Sequence, residues 1–106
     1  MVSITANAGA MARIESNGAG LEYVVRSDGV PVLLLHGFTS SYRGTWERTE
    51  WADLLIEHGF KTIGLDVRGH GHSDKPHETA AYATSLLVRD VLTLLASLHL
   101  DRAHVF

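Results

Sequence analysis

The stretch Val32-Leu33-Leu34-Leu35-His36-Gly37-Phe38 decides how this chain folds. Four apolar residues in a row, Val32 to Leu35, are typical of a strand that is covered on both faces of a sheet. His36 and Gly37 follow at once, and a glycine at this place lets the backbone turn sharply. In an open parallel sheet, ligands bind outside the carboxyl ends of the strands. The backbone N–H groups of this turn are therefore predicted to face an anion.

The residues before this stretch predict an antiparallel hairpin with strands over residues 13–18 and 21–26. Asn17-Gly18 is a hairpin-type turn signal. The second strand alternates apolar and polar residues, so one of its faces is buried. Residues 1–11 are small and weakly polar. We expect them to form a disordered leader in front of one domain over residues 12–106.

Two helices are predicted after the central strand. The first spans Trp46 to His58, and its inward face at helical spacing consists of Trp51, Leu54, Leu55 and His58. The second spans residues 79–98, and its apolar stripe consists of Leu87, Val91, Leu94, Leu95 and Leu98. Strands over residues 61–65 and 103–106 follow these helices, which implies parallel crossovers. The predicted fold class is α/β: an N-terminal antiparallel hairpin followed by parallel strands with two helices.

Composition excludes several classes of function. The 106 residues suffice for one small domain, and the net charge of -3 has no run of like charge, so a nucleic-acid-binding face is not expected. No apolar stretch approaches the roughly 20 residues of a membrane span. Cysteine is absent, which excludes disulfides and thiolate chemistry. That absence fits a reducing compartment, and we predict a cytoplasmic location.

A second loop, Asp66 to Asp74, follows the next strand and is predicted to have a structural role. Asp66 and Arg68 are expected to form a charge-assisted pair. Gly69 and Gly71 permit a positive φ. Ser73 or Asp74 is expected to cap the structure that follows. In the first turn, the ring of His36 is expected to bond nearby backbone and hold the turn in shape.

Two other interpretations of this loop are disfavoured. Gly69-His70-Gly71 could begin a dinucleotide-binding fingerprint, but its third glycine would fall at Asp74, whose carboxylate would repel a pyrophosphate. The three histidines His70, His72 and His77 could bind a metal. They lack a partner at helical i, i+4 spacing, so neither a metal nor a cofactor is expected.

The chain also lacks a nucleophile elbow, the Gly-x-Ser-x-Gly turn that exposes a catalytic serine. Ser73 comes closest, with Gly71 before it, but the required second glycine is replaced by Lys75. No aspartate lies between two correctly spaced glycines either.

The first motif, Val32 to Phe38, and the second, Gly64 to Pro76, together resemble the N-terminal portion of the α/β-hydrolase fold family. The resemblance covers about residues 20–106. It implies that His36-Gly37 is the oxyanion turn and that the backbone N–H of Phe38 is one of two oxyanion donors. It further implies a structural loop near the pocket, formed by Asp66, Arg68, Gly69, Gly71 and Ser73.

In this family the nucleophile, the acid and the histidine base follow in chain order, and the resemblance places all three beyond residue 106. The leading hypothesis is an N-terminal fragment, inactive alone, of a hydrolase that attacks ester or amide bonds of a small-molecule substrate with a serine triad. One alternative is an aspartate nucleophile, which gives epoxide or haloalkane hydrolysis. Another is a non-enzymatic module whose exposed last strand pairs with a partner or with a second copy.

Overall fold

A five-stranded mixed sheet organises the residues that the computed structural model describes, which are residues 9–106. Its strands are β1 (Ala10–Ser16), β2 (Ala19–Arg26), β3 (Val30–Leu35), β4 (Phe60–Leu65) and β5 (His104–Val105). The order across the sheet is β1-β2-β4-β3-β5. β2 is antiparallel to both of its neighbours, whereas β3 is parallel to β4 and β5. The predicted α/β fold class is confirmed.

The N-terminal hairpin turns where the sequence indicated. Asn17 and Gly18 have φ values of 46° and 84°, as a two-residue turn of type I′ requires. The strand before the turn begins earlier than expected. Ala10 and Met11 were assigned to the leader, but they pair with Val25 and Val24, so that assignment is wrong for these two residues. Ladder pairing extends β1 there, and composition does not reveal it. The predicted leader over residues 1–8 lies outside the described residues.

Both predicted helices begin later than expected. α1 spans Trp51–Glu57 and α2 spans Thr84–Ser97. A π-helical turn over Arg43–Glu47 precedes α1, and Glu50, at φ 65°, separates the two. A 3-10 turn over Thr79–Tyr82 precedes α2, and it is separated from the helix by the extended residue Ala83. A single residue outside the helical conformation, such as Glu50 or Ala83, does not change the spacing of the apolar residues. The periodicity alone therefore could not predict where these helices begin.

The predicted inward face of α1 is wrong for Trp51, Leu54 and His58, which are exposed, and right for Leu55. Trp51 and Leu54 are 52% and 44% exposed, whereas Ala52 is fully buried and Leu55 packs against the same cluster. The helix starts directly after the left-handed Glu50, and this start turns Ala52 toward the sheet. The stripe of α2 is confirmed for Val91, Leu94 and Leu98, since Leu94 is fully buried and the other two pack beside it.

The two helices cover opposite faces of β3. Leu33 packs with the cluster that contains Leu94 of α2. Val32 and Leu34 pack with the cluster that contains Ala52 of α1. All three β3 side chains are at most 2% exposed. The continuous apolar run of β3 is thus buried on both faces of the sheet, as predicted.

Gly64 in β4 lies beneath the ring of Tyr42, a buried residue just after the turn that follows β3. A Cβ atom on Gly64 would lie 2.1 Å from two carbons of that ring. This close approach presses the chain after β3 onto β4, and it requires glycine in the strand.

The edge strand β5 is held to β3 through Phe106. The N–H of Phe106 donates to Leu33 O over 2.9 Å, and its carbonyl accepts from Leu35 N over 2.7 Å. Because the polar groups of successive strand residues point to opposite sides, those of Val105 face away from β3. The side chains of Val105 and Phe106 are 53% and 61% exposed. Within the described residues, β5 therefore offers an open apolar edge.

We predict that Gly64→Ala destabilises the protein by about 1–3 kcal/mol, because the added methyl group overpacks against Tyr42. Gly20→Ala is the matched control in β2, since its Cβ would meet only the flexible end of the Arg13 side chain. Urea unfolding followed by circular dichroism measures both variants. Equal stability of the two would contradict the close approach.

We also predict self-association of the chain through β5, seen as concentration-dependent sedimentation. Val105→Pro removes only the outward N–H, so this variant is expected to be monomeric. Val105→Thr keeps that N–H and is expected to associate as the parent chain does. A parent chain that stays monomeric at every concentration would show that the edge is not used.

Candidate functional site

Two loops meet at the carboxyl end of the parallel strands. β3 and β4 run in register to their last residues, where Leu35 pairs with Leu65. The turn that begins at His36 and the loop that begins at Asp66 therefore leave the sheet side by side. This end of the sheet is where ligands bind in open α/β folds.

The ring of His36 joins these two loops. Its Nε2 accepts the N–H of Val67 over 3.0 Å, so the proton of the neutral ring resides on Nδ1. Nδ1 lies 2.7 Å from Gly37 O and donates to it. His36 is 8% exposed. The expected bonds from this ring to nearby backbone are present, and both nitrogens are occupied by them.

Phe38 stands at the tip of a tight turn in which the N–H of Ser40 donates to Gly37 O over 3.2 Å. Its side chain is 88% exposed, and within residues 9–106 its N–H has no acceptor. Thr39 takes φ 66°, the positive value that the third position of a type II turn requires. For a β-branched residue this conformation costs about 1–3 kcal/mol.

His70 contacts this turn, which the sequence argument missed. Its Nε2 accepts the N–H of Thr39 over 3.0 Å, and its Nδ1 lies 3.2 Å from Arg68 O. The ring centroid is 5.0 Å from that of His36 and 5.6 Å from that of Phe38, edge-on to the phenyl ring. The histidines of this loop are a visible signal in the sequence, but their spacing does not predict the contact with Thr39. Among the described residues, no group of three His, Asp or Glu side chains could hold a metal ion.

The predicted pair between Asp66 and Arg68 is wrong. Asp66 is 5% exposed, and its carboxylate accepts two backbone N–H groups instead, from Tyr42 over 2.9 Å and from His72 over 3.0 Å. Backbone donors satisfy a buried carboxylate without a counter-ion. Gly71 has a positive φ of 51°, and a Cβ there would lie 2.3 Å from the Asp66 carboxylate. The loop therefore folds around Asp66.

Arg68 pairs with Asp90 of α2. Its Nε and Nη2 donate to the two carboxylate oxygens over 2.7 Å and 2.9 Å, and both side chains are almost fully buried. Further guanidinium bonds reach Ser16 O and Ala81 O, each over 3.0 Å. The hydrogen bonds that Arg68 donates to Asp90 raise the pKa of Arg68, so the guanidinium keeps its charge. A lone carboxylate inside the stripe of the second helix was the signal that could have identified Asp90.

Ser73 and Asp74 tie the loop to the hairpin, so the predicted capping role is wrong. The Ser73 hydroxyl donates to Asp66 O and accepts the N–H of Glu22 over 2.9 Å. The Asp74 carboxylate accepts the N–H of Gly20 over 2.8 Å and pairs with Arg13. No helix begins directly after these residues, because the next helical turn starts at Thr79.

Gly69 confirms the backbone expectation for the loop, with φ 85°. A Cβ there would lie 2.6 Å from the ring of Tyr82, whose hydroxyl donates to Pro76 O over 2.6 Å. Burial, with the charge of Glu47, raises the pKa of Tyr42 to about 12, so this phenol is neutral at physiological pH. The loop backbone is thus fixed from several sides, whereas the Phe38 N–H in the neighbouring turn has no acceptor within residues 9–106.

The sequence profile of the alpha/beta hydrolase fold matches residues 30–106, which include both loops. The chain belongs to the α/β-hydrolase fold family. Among curated α/β-hydrolase relatives, bifunctional epoxide hydrolase 2 of Sus scrofa is 34% identical over 86 residues. That match covers 81% of this chain and 15% of the relative. Epoxide hydrolase 3 of Xenopus tropicalis is 30% identical over 85% of this chain and 24% of its own length.

Solved α/β-hydrolase structures agree with the described architecture. The epoxide hydrolase VrEH1 from Vigna radiata superposes with a TM-score of 0.82 and 26% identity. That superposition covers 97% of this chain and 32% of the solved chain. This α/β-hydrolase chain thus spans less than a third of the length of the solved relative. Because these relatives are named epoxide hydrolases, the comparisons favour the epoxide alternative over the serine-type hydrolase predicted first.

Among the residues with described structure, no helix is long and apolar enough to cross a membrane. The cytoplasmic location stays a prediction.

We predict that Asp90→Ala destabilises the fold by about 3–5 kcal/mol, because it leaves the Arg68 guanidinium buried without its counter-ion. Arg43→Ala is the control, since it removes an exposed pair with Glu47 and should cost at most about 0.5 kcal/mol. Denaturant unfolding monitored by tryptophan fluorescence measures both. A mild effect of Asp90→Ala, similar to that of Arg43→Ala, would contradict the anchoring role.

Proposed function

We propose that this chain provides the oxyanion side of an epoxide hydrolase site, with the nucleophile supplied by sequence that follows β5. The observation that carries the proposal is the unpartnered N–H of Phe38 at the carboxyl end of β3. The bond from Leu35 N to Phe106 O brings the end of β5 level with the start of that turn. A residue that follows Phe106 would emerge beside Phe38, at the ligand-binding edge of the sheet.

The proposed chemistry uses an aspartate nucleophile, as the resemblance to epoxide hydrolases suggests. Its carboxylate attacks an epoxide carbon, the ring C–O bond breaks, an ester between substrate and enzyme forms, and the released epoxide oxygen takes a proton from the acid to become a hydroxyl group. Water, which gives a proton to the base, then adds to the ester carbonyl, and negative charge develops on its oxygen until the intermediate collapses to the diol and the free aspartate. The Phe38 N–H is placed to donate a hydrogen bond to that oxyanion. Within residues 9–106, the site offers a donor for this charge, whereas the nucleophile, the acid and the base lie elsewhere.

A non-enzymatic role is the second candidate, and the open apolar edge of β5 favours it. A partner strand that pairs with this edge would add main-chain hydrogen bonds. Such a module would need no free donor at Phe38. The experiment below separates the two roles.

The test combines this chain with the part of the Vigna radiata epoxide hydrolase that follows its matching strands. We expect no turnover by the chain alone, and we expect the complex to hydrolyse an epoxide but not an aryl ester. A folded complex that hydrolyses neither compound would contradict the enzymatic role.

Phe38→Pro tests the donor itself. Proline lacks the N–H but fits the second position of a type II turn, so the turn survives while the donor is lost. Removal of an oxyanion donor lowers kcat by roughly 10²–10³-fold. Phe38→Leu keeps the N–H and should retain most of the activity. Equal kcat values for the two variants would show that this N–H does not act on the oxyanion.

A further inference from the structure

The imidazole of His70 fixes the residue that follows the proposed oxyanion donor. Its Nε2 accepts the N–H of Thr39 over 3.0 Å, and its Nδ1 lies 3.2 Å from Arg68 O. An acceptor nitrogen on a neutral ring carries no proton, so the proton resides on Nδ1 and is directed at the carbonyl. Both ring nitrogens therefore have assigned partners, and the contact with Thr39 requires the neutral ring.

Thr39 needs this support because of its backbone. Its φ of 66° is disfavoured for a β-branched side chain. Within the turn, the Ser40 N–H also donates to Gly37 O, at 3.2 Å. The His70 contact comes from a different loop, so it fixes the peptide after Phe38 relative to β4. The direction of the Phe38 N–H depends on this fixation.

We propose that His70 is a positioning residue for the Phe38 N–H and acts through an unprotonated Nε2. The proposal rests on the oxyanion role of Phe38 for its catalytic meaning. A proton on Nε2 would set two N–H groups against each other across the present hydrogen bond. The Thr39 peptide would then lose its anchor, and the turn would leave the orientation that presents the donor.

The groups around His70 are compatible with a neutral ring. His36, at the end of β3, is the nearest titratable ring, and both of its nitrogens are already bonded to backbone. In the loop of His70, the Asp66 carboxylate accepts backbone N–H groups, with the exposed ring of His72 3.8 Å away. The Arg68 guanidinium is directed to Asp90.

Nitrogen NMR of the full 15N-labelled chain tests the ring directly. At neutral pH we expect Nδ1 of His70 to be protonated and Nε2 to be unprotonated. As the pH is lowered, the protection factor of the Thr39 amide, corrected for the intrinsic pH dependence of exchange, should fall in step with the His70 ring signal that reports a proton on Nε2. A ring with the proton on Nε2 at neutral pH would overturn the proposal, and this measurement needs no variant.

Substitutions then separate positioning from mere packing. His70→Phe keeps a ring but removes the acceptor, so the Thr39 amide should exchange roughly two- to tenfold faster, the loss of one hydrogen bond. His70→Gln restores an acceptor at a similar reach and should return the rate to that of the parent chain without the pH dependence. His72→Phe is the matched control, since His72 is exposed and has no contact with Thr39. Unchanged exchange in His70→Phe would overturn the proposal.

Thr39→Gly provides a second test if His70→Phe does not fold. Glycine adopts positive φ without strain, so the turn should no longer depend on His70. The Ser40 amide should lose protection at low pH in the parent chain but not in Thr39→Gly. Equal loss in both would contradict the proposal. These NMR results decide the positioning role, whereas turnover by the complex decides the proposed function, so the two can fail separately.

Discussion

The buried pair between Arg68 and Asp90 is the interaction on which the rest of the structure depends. It joins the loop after β4 to α2, and the same guanidinium reaches the end of β1 through Ser16 O. The carbonyl of Arg68 in turn accepts from His70, whose ring holds Thr39. A buried ion pair contributes little net stability, but its directional bonds allow one arrangement of the elements that it joins. The position of the loop at the site follows from that arrangement.

The parts of the fold that are recoverable from the sequence are those governed by local rules. The run Val32 to Leu35 is apolar at every position, which by itself indicates a buried strand. The pair Asn17-Gly18 tolerates the positive φ values that a hairpin turn needs, which can also be predicted without the rest of the chain. The inward face of α1 could not be read in this way, because a single left-handed residue, Glu50, resets the start of the helix. The predicted leader over residues 1–8 lies outside the residues that the structure describes.

The candidate site was predictable to a smaller extent. Gly37 and Phe38 follow a buried strand, so their place at the sheet edge could be inferred from topology alone. The partners of Asp66, Arg68 and His70 could not, because each bond joins residues far apart in sequence or replaces an ion pair with backbone donors. The closest charged neighbour in sequence was a poor guide. Burial determines the partner of each of these side chains. A buried polar group must form hydrogen bonds with the donors or acceptors that surround it in the folded chain.

The hydrogen bonds that join the hairpin to the loop after β4 and to α2 have a consequence for how the chain folds. The bonds from Gly20 to Asp74, from Glu22 to Ser73 and from Ser16 to Asp90 span 54, 51 and 74 residues. Contacts of such sequence separation form late and slow the folding reaction, because a long loop must close before they contribute. During synthesis, the hairpin precedes its hydrogen-bonding partners, so its polar groups must stay hydrated until Ser73, Asp74 and Asp90 have been made.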